Sequence, residues 1–128
     1  MEHQLRLFDL NEEPVPGFRP ISTSWHTPGS VAFAIEDGNK TVVFTGDCVA
    51  HKILAIENPW TSLVSDWRPD TAMAGRYEFL DIVVEQGWVL LCGHSAFPGL
   101  FHVDQHAANF QTTAATYKAS TSAASMCI

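Results

Sequence analysis

Basic residues are scarce in this chain: seven lysines and arginines stand against fourteen aspartates and glutamates, a net charge of −7. Such a balance repels phosphate backbones and offers no basic patch to anionic lipid, which excludes nucleic acid and membrane surfaces as partners. Charge of either sign is sparse as well, at 16% of residues against the usual ~25%, so part of the surface is expected to be covered by a partner. The three cysteines (Cys48, Cys92, Cys127) are odd in number and contain no Cys-x-x-Cys pair, which argues against a disulfide framework or a zinc ribbon. Cys127 is penultimate, so the prenylation pattern is absent too. No apolar run reaches the ~18 residues of a membrane span, and the opening MEHQLRLFDLNEE lacks a signal-peptide core, making the cytoplasm the expected location. With 128 residues, one hydrophobic core is the ceiling.

What is present reads as an α+β chain. Residues 4–10 alternate apolar and polar and suggest a strand, and residues 21–25 look extended. Val31, Phe33 and Ile35 recur at period two after the turn Thr27-Pro28-Gly29-Ser30. Asp37-Gly38-Asn39 tolerates positive φ and closes a hairpin onto residues 41–45. Residues 48–68 have weak periodicity and predict an ordered loop with short helical pieces. Pro69 and Asp70 then start a helix whose apolar stripe is Met73, Tyr77, Leu80 and Val84, and Gly87 stops it. Short strands are expected at residues 88–92, 100–103 and 109–113. The folded part is assigned to residues 1–110, and the Thr-, Ser- and Ala-rich residues 111–128 to a frayed tail, because they offer too little apolar area to offset ordering entropy.

Three polar side chains stand just beyond apolar strands, where a scaffold can hold them with their tips free: His26, Asp47 and His94. Imidazole and carboxylate are donors that zinc accepts, and a carboxylate can bridge two ions. Each residue taken singly is equally compatible with a loop or surface role. Phe97 is a candidate pocket residue, and His51 by itself suits an ordinary surface loop. His102 and His106 are four apart but fall in strand and turn sequence, so no helical zinc motif forms. Asp66 reads as a loop carboxylate and Asp70 as a helix N-terminal residue favoured by the macrodipole. Trp60 and Trp67 could wall a pocket or simply pack.

The ordered set SWHTPGSVAFAIEDGNKTVVFTGD followed by GHSAFPGLFHV resembles the second half of the metallo-β-lactamase superfamily, and is most similar to its methyl parathion hydrolase-like and lactonase-like members. That resemblance covers about residues 16–103 and includes the helix around Arg76, Tyr77 and Leu80. It implies the C-terminal half of an αββα sandwich, with an antiparallel-rich sheet and one long helix. It also implies two zinc ions, with His26 on one, His94 on the other and Asp47 bridging, and a pocket position for His51, four residues after Asp47, as an alternative to its loop role. The activity implied is hydrolysis of an ester, lactone or phosphotriester by metal-bound hydroxide.

Two departures qualify what the resemblance implies. Trp25 stands where the family usually has glycine, directly before His26, and its bulk is expected to shift the backbone that aims that ligand. The family's leading His-x-His-x-Asp-His motif is missing, and the chain contains no His-x-His at all. Two protein donors per ion fall short of the about four that zinc takes, so this chain alone is expected to be inactive. The alternative expectation is a non-catalytic truncated paralogue or interaction module that self-associates through the uncovered sheet face.

Overall fold

The structure is a computed structural model, and it describes residues 4–115. Six strands form one sheet in sequential order: β1 (Phe18–Ser22), β2 (Val31–Asp37), β3 (Lys40–Phe44), β4 (Val89–Leu91), β5 (Leu100–His106) and β6 (Asn109–Ala114). Neighbouring strands are antiparallel except β3 and β4, which are parallel and joined by a crossover containing the helix α1 (Pro69–Gln86). Parallel neighbours require such a crossover, whereas antiparallel ones can be joined directly: β2 to β3 and β5 to β6 by two-residue turns, β1 to β2 and β4 to β5 by eight-residue loops. The hairpin between β2 and β3 turns on Gly38 at positive φ, and its register sets Asp37 opposite Lys40.

The helix begins with Pro69 at its first position and ends on Gly87 in the left-handed conformation, as the residue types dictate. Its buried stripe differs from the expected one. The residues turned inward are Ala72, Arg76, Phe79, Leu80 and Val83, while Met73, Tyr77 and Val84 are only partly buried. Counting apolar residues alone rotates the predicted face, because an arginine lies at the centre of the real one.

One sheet face packs on α1. Ala34, Val43, Leu90 and Phe101 lie in register across β2 to β5 and share a core with Phe79, Leu80 and Val83. The opposite face is also apolar: Phe33, Phe44, Leu91 and Leu100 form a matching row, yet all remain at least partly exposed, with Phe44 at 39%. A sheet that is apolar on both faces is built to be covered on both. Part of that cover is the N-terminal arm, whose Phe8 ring lies 6.0 Å from Phe33.

Two readings change. Residues 5–9 form no strand, although their alternation suggested one. Gln111 to Ala114, placed by composition in a frayed tail, belong to β6 and pair with β5; Phe110 beside them is buried and anchors the strand. Ala115, just beyond β6, is buried too and its N–H donates to Leu100 O; residues 116–128 of the expected tail lie outside the described residues.

Between β3 and α1 the chain makes a π-helical turn (Lys52–Glu57) and an irregular stretch tied down by its aromatics and by Arg76. Trp60 stacks on Tyr77 of α1 at 4.8 Å, so it packs, while Trp67 stays largely exposed.

Candidate metal centre

His26 sits in the loop joining β1 to β2. Thr23 N–H donates to Ser30 O at 3.0 Å and the two hydroxyls meet at 2.8 Å, which closes the base of the loop. Inside it, His26 N–H donates to Thr23 O and Ser30 N–H to Thr27 O, with Gly29 at φ +80° supplying a conformation that other residues resist. His26 is therefore fixed and buried, at 4% exposure.

Asp47 follows β3 through Gly46, which adopts φ +56° to turn the chain. That turn is anchored because Thr45 N–H donates to Leu91 O, Thr45 Oγ1 donates to Val49 O, and Cys48 Sγ–H donates to Thr45 O. His94 follows β4 in a loop closed where Cys92 N–H donates to Gly99 O at 2.8 Å. Gly99 cannot carry a side chain there, since an added Cβ would lie 2.6 Å from Cys92 O. Both β3 and β4 thus deliver their polar residue at the same end of a parallel pair. The result is a direct contact: His94 Nε2 lies 2.9 Å from Asp47 Oδ1, with both side chains mostly exposed.

Asp47 also shares an open cleft of about 510 Å³ with His26, Thr27, Ser30 and Ser65. It touches His94 directly and lines the same cleft as His26. Among the described residues no three His, Cys, Asp or Glu side chains converge as a single ligand group. Imidazole and carboxylate suit zinc in kind, and the shared carboxylate suits a bridge, but the number of donors is below the about four of a closed site. These residues therefore fit part of a two-ion donor set.

The reading of Asp66 as a loop carboxylate missed its role. Its Oδ1 lies 2.9 Å from His26 Nδ1, and Arg76 Nη2 donates to both carboxylate oxygens at 3.0 and 2.8 Å. Leu63 N–H adds a further donor at 3.1 Å. Burial pushes the Asp66 carboxyl upward, but the hydrogen bonds from Arg76, His26 and Leu63 outweigh it and hold the group below the ordinary aspartate value. Arg76 is itself fully buried and also donates to the carbonyls of Cys48, Pro59 and Thr61. A signal for this existed in the sequence: in a chain so poor in charge, an arginine spaced with the apolar face of a helix needs a buried acid.

The Trp25 substitution is absorbed by α1. The indole lies against Gly75, where a Cβ would overlap its root, and it also faces Phe79 at 6.3 Å and the Arg76 guanidinium at 5.8 Å. Gly75 is what leaves room for the indole beside His26.

His51 and Phe97 both line a different cleft, of about 310 Å³, beside Ser95 and Leu100. His51 has a structural task as well. Its Nδ1 accepts from Ile53 N–H at 3.2 Å and Leu54 N–H at 3.4 Å, capping the π-helical turn. Replacing His51 by alanine is expected to cost about 1 kcal/mol in a urea titration, the usual loss of a helix cap; an unchanged midpoint would show that the cap is ornamental. His102 and His106 both lie on β5. Burial raises the thiols of Cys48 and Cys92 to about 12 and about 11, so neither is a nucleophile at neutral pH.

No protein-family model matches the chain, and no curated protein matches it. Solved structures do. A structure of AidC, a dizinc quorum-quenching lactonase in complex with a product, superposes with a TM-score of 0.82 at 23% identity, over 92% of this chain and 40% of that one. The hydrolase AbOPH of the β-lactamase superfamily gives 0.78 at 25% identity, over 88% and 38%. A probable metal-dependent hydrolase from Staphylococcus aureus gives 0.68 at 23% identity, over 79% and 36%. This chain spans less than half the length of each. Sheet order, crossover helix and these superpositions agree that the chain carries one part of the metallo-β-lactamase fold.

Proposed function

We propose that this chain is the His26, Asp47 and His94 portion of a metal-dependent hydrolase acting on esters, lactones or phosphotriesters, and that it needs a second layer carrying further donors before it turns over substrate. The observation that carries this reading is the position of Asp47, 2.9 Å from His94 and on the same cleft as His26. Such a carboxylate can be shared between two ions, with one histidine terminal on each. Zinc, when bound there, would polarise the scissile carbonyl or phosphoryl group and supply a nucleophile from water at neutral pH. The chain's own residues orient the site: Asp66 holds His26, and the Gly46 and Gly99 turns hold Asp47 and His94. The missing layer is expected to lie over the exposed row of Phe33, Phe44, Leu91 and Leu100.

A second reading is favoured by that same open face. Left uncovered, it makes the chain an interaction module that pairs with itself rather than a catalyst. One experiment separates the two: zinc content after metal supplementation and exhaustive dialysis, for the chain and for an Asp47→Ala/His94→Ala variant, beside sedimentation equilibrium. Retained zinc that disappears in the variant supports the hydrolase portion. Background zinc in both, with a dimer in sedimentation, supports the interaction module.

A further inference from the structure

We propose that Asp66, braced by Arg76, is a positioning residue for His26: it fixes the imidazole with its proton on Nδ1 and thereby keeps the Nε2 lone pair turned to the cleft shared with Asp47. The proposal rests on reading His26 as a metal donor, but it concerns the state of the ring alone.

The argument starts from donors and acceptors. Asp66 Oδ1 is reached by His26 Nδ1 at 2.9 Å and Arg76 Nη2 at 3.0 Å, and Oδ2 by Arg76 Nη2 at 2.8 Å and Leu63 N–H at 3.1 Å. A carboxylate surrounded in this way only accepts, so the hydrogen in the His26 contact belongs to Nδ1. The ring's other nitrogen has no hydrogen-bond partner among the described residues, yet no buried side-chain nitrogen or oxygen there is left unpartnered. Nε2 therefore opens onto the cleft that His26 lines. The backbone is held from the same direction, because Trp67 N–H donates to His26 O at 2.8 Å. Asp66 and Trp67 are adjacent and grip ring and main chain together. Arg76 reaches both carboxylate oxygens by itself, so pairing its charge does not call for the histidine; the added contact between Oδ1 and Nδ1 is what a ligand histidine requires to present one nitrogen in one orientation.

The variant Asp66→Asn tests this with little change of shape. The amide oxygen settles in the corner where Leu63 N–H and Arg76 both donate, which leaves the amide NH₂ opposite His26 Nδ1 at the cost of the second Arg76 hydrogen bond, the one to Oδ1. Nδ1 must then accept, and the ring proton moves to Nε2. Long-range ¹H–¹⁵N correlation spectra of the uniformly ¹⁵N-labelled full chain, without metal, read the tautomer directly. Expected is a single Nδ1–H form for His26 in the native protein and an Nε2–H form in Asp66→Asn, with backbone amide shifts preserved elsewhere. An Nε2–H or exchanging ring in the native protein overturns the proposal, as does a folded Asp66→Asn protein that keeps Nδ1–H. Should Asp66→Asn not fold, the native spectrum decides alone. An Nδ1–H ring in a chain that retains no zinc and sediments as a dimer would favour the interaction module over the hydrolase reading and leave the positioning intact.

Discussion

Arg76→Met is expected to destabilise the protein by about 3–5 kcal/mol, the cost of removing one partner from a buried ion pair. Methionine keeps much of the stem's volume but none of its donors. The carbonyls of Cys48, Pro59 and Thr61 lose a shared partner, and the Asp66 carboxylate is left buried with only His26 and Leu63 to satisfy it. Domains of this size are stable by only about 5–15 kcal/mol in total, so the loss is a large fraction of the whole. Urea unfolding should show the midpoint falling by at least about 1 M at the slopes typical of small proteins. Adding Asp66→Leu should recover part of the loss, since the cost lies in the stranded charge more than in the missing attraction. A midpoint that stays in place would show that the interior tolerates the orphaned carboxylate, and the account of Arg76 as the tie between α1 and the 48–66 loop would fall.

Gly75→Ala should also destabilise, against the direction that helix propensity gives. Within a helix, alanine is favoured over glycine by about 1 kcal/mol. At this position the new methyl overlaps Trp25, 2.6 Å from its Cβ and closer still to the root of the indole, which cannot swing aside as the tip of a flexible side chain could. Overpacking of that kind costs about 1–3 kcal/mol, and after the gain in helix propensity a net loss of up to about 2 kcal/mol is expected. The sign should reverse once the indole is gone: with Trp25→Gly already made, Gly75→Ala should stabilise by about 1 kcal/mol. Thermal or urea unfolding of the four proteins closes the cycle. Equal effects of Gly75→Ala in both backgrounds would mean that the contact carries no strain.

These expectations show how far local pattern reaches. The helix from Pro69 to Gly87, the hairpin turning on Gly38 and the strand before His94 were legible because each rests on chemistry within a few residues: a fixed proline φ, a left-handed glycine, a period-two alternation. Strand β6 was only half legible. Its Thr and Ala residues look too weak to order, but pairing along β5 and the buried Phe110 supply from a distance what composition lacks. The N-terminal alternation failed for the converse reason, since alternation without a neighbouring strand to pair with leaves an extended arm.

Sequence by itself offered the candidate residues and the order in which strands present them, because ligand types and turn residues are local choices, while the fold followed from the resemblance to the metallo-β-lactamase superfamily. Tertiary structure alone decided that Asp47 meets His94, that Asp66 and Arg76 stand behind His26, and that Gly75 makes room for Trp25. Each of those depends on side chains brought together from separate elements, where the energy of a contact is set by burial and by the partners that surround it. A carboxylate that reads as one more loop residue becomes a buried partner of His26 once a helix has carried a guanidinium to its side.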